Sequence, residues 1–120
     1  MKTVLLFNIQ AEKRERVLFL VNQLGLAYRE VPEAEQGKSI AELCGRGPLP
    51  PLVQGTCGHF TEEMLVMDGL EAQQFHGLLD GLRGLKATVP LKAVVTTQNL
   101  CWSAAALYEA LHEEHSRLTR

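Results

Sequence analysis

The chain has 120 residues, 46% of them hydrophobic, and a formal net charge of −2. This length fits a single domain (residues 1–120) with its own core, and the scattered basic residues give no reason to expect nucleic acid or a membrane as partner. No apolar run approaches the roughly 20 residues that cross a bilayer, and the N-terminal run is too short for a signal peptide. With three cysteines and no export signal, we expect a cytoplasmic protein with free thiols.

The first half predicts a strand, a helix, a second strand and a short helix. The run 3–9 has the length of a buried strand. Residues 12–24 predict a helix with one apolar face, and Gly25 is placed to cap its C-terminus. The alternating segment 26–31 predicts a less buried edge strand, and a capping box at 39–42 begins the short helix. The apolar face of the long helix consists of Val17, Leu20, Val21 and Leu24.

The segment 44–60 connects the two halves and is rich in glycine and proline. Such density interrupts regular structure, and a loop this long inside a compact domain is unusual, so it is either functional or partly ordered. Within it, 52–54 predicts a small extra strand. Cys57 and His59 also lie here, so a thiol and an imidazole are close in sequence.

The second half repeats the order of the first. A strand at 64–67 precedes a helix from 68 to about 82, for which Asp68 is a predicted N-terminal cap. A strand at 91–95 and a helix ending near 118 complete the chain. The helical face that matches the one in the first half consists of Phe75, Leu78, Leu79 and Leu82.

Two such halves, at about 3–43 and 64–118, predict a duplicated β-α-β-α unit. The favoured fold is α+β and ferredoxin-like, with four strands in one sheet and both long helices on one face. The alternative is an open α/β sheet with helices on both faces. The two differ in whether the fourth strand is antiparallel to its neighbours. An incompletely covered sheet face predicts a homodimer, with 26–31 and 91–95 as candidate buried surfaces.

Three features of the second half form a recognisable set: the strand Leu91-Lys92-Ala93-Val94-Val95-Thr96, the pair Asn99 and Trp102, and the helix end Glu113-Glu114-His115. Through them, residues 64–118 resemble a family of short bacterial and archaeal proteins catalogued only as a domain of unknown function. The first half would then be a diverged partner of the second. The resemblance implies no activity.

The candidate ligand-binding residues are Cys57, His59, Asp68 and Trp102. Each also has an ordinary structural explanation. Cys57 and His59 would be loop residues, Asp68 a helix cap, and Trp102 an aromatic anchor in the core. Asn8 is explained in the same way, as a helix cap. No catalytic residues or cofactor are predicted. No metal site is predicted either, because zinc needs three or four ligands and His112 and His115 supply only two.

We therefore favour a small cytosolic binding or interaction module over an enzyme, with an unidentified small molecule or protein as partner. The reason is that no nucleophile, base and oxyanion donors can be assembled from the sequence. The alternative is a thiol-dependent enzyme or redox sensor that uses the loop containing Cys57 and His59. Under this alternative, Cys57→Ala abolishes the activity.

Overall fold

The computed structural model describes residues 2–56 and 59–118. In the first half, these residues form β1 (Thr3–Phe7), α1 (Ala11–Gln23), β2 (Ala27–Val31) and α2 (Ile40–Leu43). In the second half, they form β3 (Met64–Asp68), α3 (Ala72–Gly84), β4 (Leu91–Val94) and α4 (Ala104–Leu118). Short 3₁₀ turns at Glu33–Glu35 and Asn99–Cys101 precede α2 and α4. The two halves therefore have the same element order, as predicted.

The four strands form one open, mixed sheet in the order β2-β1-β3-β4. β1 and β2 are parallel, β3 and β4 are parallel, and β1 and β3 are antiparallel with Leu5 opposite Val66. Every residue of β1 and β3 is buried, whereas β2 and β4 are largely exposed. The apolar strands thus lie at the centre, where both of their faces are covered.

This strand order is not the ferredoxin-like order that the repeat suggested. In the split β-α-β arrangement, a strand of the other half lies between the two strands of each unit. Here β2 lies directly beside β1, and β4 lies directly beside β3. Each half completes its own parallel pair, and the halves meet through their central strands. The alternative prediction, an open sheet with helices on both faces, describes the structure.

Side chains alternate across the sheet, so each face has its own core. One face packs against α1 and α3 and includes Val4, Leu6, Leu65 and Met67. The other packs against α2 and α4 and includes Leu5, Phe7, Met64 and Val66. The predicted helical faces do point inward: Val17, Val21, Leu78 and Leu82 are buried, and Leu20, Leu24, Phe75 and Leu79 are partly buried.

The N-termini of α2 and α4 are joined to each other by backbone hydrogen bonds. Ile40 N–H donates to Trp102 O (2.9 Å), and Ala104 N–H donates to Lys38 O (3.0 Å). The predicted Ser39 cap is present, because its Oγ accepts the N–H of the residue three positions later. As a result, α2 and α4 cover the second face of the sheet within one chain.

Two local predictions were wrong. Asp68 does not cap α3, because it is the last residue of β3; the N-cap is Glu71, which forms a capping box with Gln74. The extra strand expected at 52–54 is reduced to a single bridge between Val53 and Trp102. Two backbone hydrogen bonds flank this bridge, from Leu52 N–H to Cys101 O (2.7 Å) and from Ser103 N–H to Val53 O (2.9 Å).

α1 and α3 end in the same way, but with different residues in the left-handed conformation. That residue is Gly25 after α1 (φ 71°) and Lys86 after α3 (φ 55°). The bonds that close the two motifs are Leu26 N–H to Val21 O (3.1 Å) and Ala87 N–H to Leu82 O (2.8 Å). Both ends are therefore Schellman motifs, in which glycine is the favoured residue.

We expect Lys86→Gly to raise the free energy of unfolding by about 1 kcal/mol, because glycine enters the left-handed region without a Cβ clash. Urea denaturation followed by circular dichroism measures the change. The control is Gly25→Ala, which should lower the free energy of unfolding by a similar amount. A lower free energy of unfolding for Lys86→Gly would show that the lysine side chain stabilises the fold by more than its strained backbone conformation destabilises it.

Candidate binding site

Of the predicted ligand-binding residues, the three that the structure describes, His59, Asp68 and Trp102, have separate partners rather than a common one. Cys57 lies outside the described residues. His59 is exposed, and its Nε2 lies 3.7 Å from a carboxylate oxygen of Glu33. Trp102 is half-buried against the core beneath α2 and α4, and it anchors the start of α4 as expected. Their role in ligand binding stays a prediction.

Asp68 is buried at the end of β3 and holds the start of the connection against the sheet. Arg46 Nη2 donates to Asp68 Oδ1 over 2.7 Å, and the Cys44 thiol lies near the same carboxylate. Burial, and after it the charge of Asp68, raises the pKa of the Cys44 thiol to about 12. A thiol with this pKa is protonated at neutral pH, so Cys44 is no nucleophile.

We expect iodoacetamide to modify Cys57 first and Cys44 very slowly. At about pH 8, only about one Cys44 side chain in 10⁴ is a thiolate, and this fraction grows about tenfold per pH unit up to pH 12. Mass spectrometry after brief alkylation of the native protein measures the order of labelling. Cys101, a half-buried free thiol, should also react after Cys57. Preferential labelling of Cys44 near neutral pH would contradict this prediction.

A buried amide that the sequence did not indicate fixes the far end of the connection. Gln36 is fully buried; its Nε2 donates to Phe60 O (3.1 Å), and its Oε1 accepts Phe60 N–H (2.8 Å). Asn8 Nδ2 donates to the same Phe60 oxygen over 2.9 Å. Asn8, expected to be a helix cap, is instead a left-handed turn residue (φ 59°), and the N-cap of α1 is Gln10.

A cluster of polar side chains links the same segment to α4. Tyr108 Oη donates to Glu62 Oε1 over 2.6 Å, and His112 Nδ1 lies 3.0 Å from that oxygen. The Tyr108 ring stacks on Phe60 with centroids 4.3 Å apart. Only Glu62 of the adjacent pair takes part, because Glu63 is buried and bonds to Lys13. The sequence suggested a solvated helix end here, and it gave no sign that Tyr108 and Glu62 would meet.

Two crevices occupy equivalent positions in the two halves, at the carboxyl ends of the parallel strand pairs. In open α/β sheets, ligands bind outside the carboxyl ends of the strands. The first crevice is lined by Leu6, Asn8, Ile9, Glu30, Val31, Pro32 and Glu33. The second, which we call the β3/β4 crevice, is lined by Met67, Gly69, Leu70, Ala72, Phe75, His76, Val94 and Val95. Since β1 and β3 are antiparallel, the crevices open at opposite ends of the sheet.

The two crevices differ in chemistry. In the first, Glu30 forms a two-point ion pair with Arg14 (2.7 and 2.8 Å), which holds the pKa of Glu30 below its usual value. The β3/β4 crevice has a volume of about 460 Å³, and among the described residues that line it His76 is the one with a polar side chain. The His76 ring packs edge-on against Phe75, with centroids 5.3 Å apart. Val94 is 47% exposed at the mouth of this crevice.

Within residues 2–56 and 59–118, no group of three or more His, Cys, Asp or Glu side chains is placed to hold a metal ion. None of the helices described in these ranges is long and apolar enough to cross a membrane. Neither a curated protein nor a solved structure matches the chain. Residues 63–118, slightly less than half of the chain, match the family described as a domain of unknown function, DUF3783. The whole β3/β4 crevice lies within this matched segment.

Proposed function

We propose that the protein is a cytosolic binding module that takes a small, mainly apolar molecule into the β3/β4 crevice. The observation that carries this proposal is the apolar lining at the carboxyl ends of two parallel strands, with a single polar side chain, His76. Small-molecule sites are typically apolar hollows of about 300–1,000 Å³ in which a few polar groups orient the ligand. The two half-buried free thiols described, Cys44 and Cys101, fit a reducing compartment.

The first half provides an internal comparison. Its crevice has the same position in its own β-α-β unit, yet it carries Glu30 and Glu33 among its lining residues. In the second half, the position that matches Glu30 is occupied by Val94, an exposed aliphatic residue at the end of an edge strand. The fold alone therefore does not require an apolar crevice. An exposed apolar surface inside a concave site supports a binding role.

Titration with indole, followed by amide chemical shifts, tests the proposal. Indole is expected to produce saturable shifts around 67–76 and 94–95. Val94→Glu places in this crevice the residue type that the first crevice has, and burying its charge against indole should weaken binding by about tenfold or more. The control is Val53→Glu, because Val53 is similarly exposed (44%) and does not line the crevice. Equal effects of the two substitutions, or shifts elsewhere, would refute the proposal.

A homodimer is the assembly we predict. The sequence-based reason for it, an incompletely covered sheet face, does not hold, because α2 and α4 cover that face. The outer edges of β2 and β4 are the strand surfaces left for a second copy, because each of these strands lies at an end of the sheet. Light scattering at low micromolar concentration should give about twice the 13.3 kDa of one chain. A mass near 13.3 kDa would end this prediction.

A further inference from the structure

A further cavity lies between α3 and β4, and it shares no lining residue with the β3/β4 crevice. It has a volume of about 300 Å³ and is lined by Leu79, Leu82, Arg83, Thr88 and Lys92. We call it the α3/β4 cleft. Its walls combine two aliphatic side chains from the helix with a cation from the helix and a cation from the strand. None of the five residues that line it within the described part of the chain is acidic.

The two cations of the cleft are close enough to influence each other. Lys92 Nζ donates one hydrogen bond to Val89 O (2.6 Å), which leaves two of its three N–H groups for another acceptor. Burial, and after it the charge of Arg83, lowers the pKa of the Lys92 ammonium. Because both cations line the same cleft, an anion placed in it would be attracted by both of them.

Asp80 is the acidic partner of Arg83. Arg83 Nη2 donates to Asp80 Oδ1 over 2.5 Å, and both side chains are about 70% exposed on the surface of α3. An exposed ion pair of this kind contributes less than about 1 kcal/mol, so it yields easily to a better acceptor. Asp80 therefore competes with any anion in the cleft for one of the two cations.

We propose that the α3/β4 cleft binds a small aliphatic carboxylate, with the carboxylate between Lys92 and Arg83 and the chain against Leu79 and Leu82. Charge complementarity selects the anion, since Lys92 and Arg83 are the charged groups of the lining. The two leucines select an aliphatic tail over a bare inorganic anion. A volume of about 300 Å³ is at the lower limit for ligand sites, which indicates a short chain. This binding function is independent of the one proposed for the β3/β4 crevice.

Titration of the full chain with sodium hexanoate at low salt, followed by amide chemical shifts, tests this site. Saturable shifts are expected for residues 79–92. Lys92→Gln and Arg83→Gln should each weaken hexanoate binding by about tenfold, since each removes a charged hydrogen-bond donor. Asp80→Asn should strengthen binding, because it frees Arg83 from its competitor. The matched control is Lys86→Gln, since Lys86 is an exposed lysine in the loop between α3 and β4 that does not line the cleft.

Two further probes separate the parts of the proposed ligand. Hexanol has the chain without the charge, and inorganic phosphate has charge without the chain. Binding of hexanoate that neither probe matches supports the proposal. Equal binding of hexanol would refute the role of the cations, and equal binding of phosphate would refute the role of the leucines. The absence of saturable shifts up to about 10 mM hexanoate would overturn the proposal as a whole. The amide spectrum of each variant also shows whether it is folded.

Discussion

Leu78→Ala is expected to lower the free energy of unfolding by about 2–5 kcal/mol. Leu78 is completely buried on α3, in the core that this helix forms with α1 and one face of the sheet. Its truncation removes apolar contacts and leaves a cavity that close-packed neighbours fill only in part. Because domains of this size are stable by only about 5–15 kcal/mol, the variant should lose much of its stability.

Urea denaturation followed by circular dichroism measures this loss, and Leu79→Ala is its control. Leu79 is the next residue of the same helix, but it is partly exposed and lines the α3/β4 cleft. Its truncation leaves no closed cavity, so the expected change is about 1 kcal/mol. An equal effect of the two substitutions would show that α3 is rotated relative to the sheet from the position described above.

Gln36→Ala is expected to lower the free energy of unfolding by about 2–4 kcal/mol. The Gln36 side chain pairs with both the N–H and the carbonyl of Phe60, in the way that a neighbouring strand would. Phe60 is itself buried (3% exposed) and packs between Phe7 and Tyr108. Alanine leaves the Phe60 N–H without its partner in a place that water does not reach, which is the expensive part of losing a hydrogen bond. The carbonyl keeps the bond from Asn8.

Gln36→Glu separates the hydrogen bonds from the packing, because glutamate has almost the same shape. A buried glutamate facing the Phe60 carbonyl is favoured in its protonated form, so its pKa in the folded state should lie above its unfolded value of about 4.3. The stability of this variant should therefore be greatest at low pH and should fall as the pH rises through the folded pKa. Melting temperatures of the variant and the wild type, compared from about pH 4 to pH 8, measure the effect. A constant difference across this range would contradict the proposed role of the Gln36 amide.

The sequence contained enough information for the local elements of both halves. The unbroken apolar runs of β1 and β3 indicate strands covered on both faces, and the spacing of Val17, Val21, Leu78 and Leu82 indicates the inward faces of the two long helices. These signals depend only on neighbouring residues, so they are visible without the fold. The end of α1 is visible for the same reason, because Gly25 is the residue type that a left-handed turn favours.

The tertiary contacts and the proposed binding sites were less visible, because their residues come from distant parts of the chain. The partner of Asp68 is Arg46 in the connection, and the partners of Gln36 and Glu62 are Phe60 and Tyr108. No periodicity links such positions. The β3/β4 crevice has the same difficulty, since β3, the start of α3 and β4 each supply part of its lining. Its apolar residues have the composition of an ordinary core, and only the exposure of some of them, such as Val94, distinguishes them.

The sequence by itself determined which strands are central and which lie at the edges, since burial on both faces requires apolar side chains on both faces. It did not determine which edge strand lies beside which central strand. Both the ferredoxin-like order and the observed order place β1 and β3 at the centre, so the same hydrophobic pattern fits both. Backbone hydrogen bonds carry no side-chain identity and cannot choose between the two. The tertiary structure decided the order through packing on the second face, where α2 and α4 are joined at their N-termini and cover the sheet.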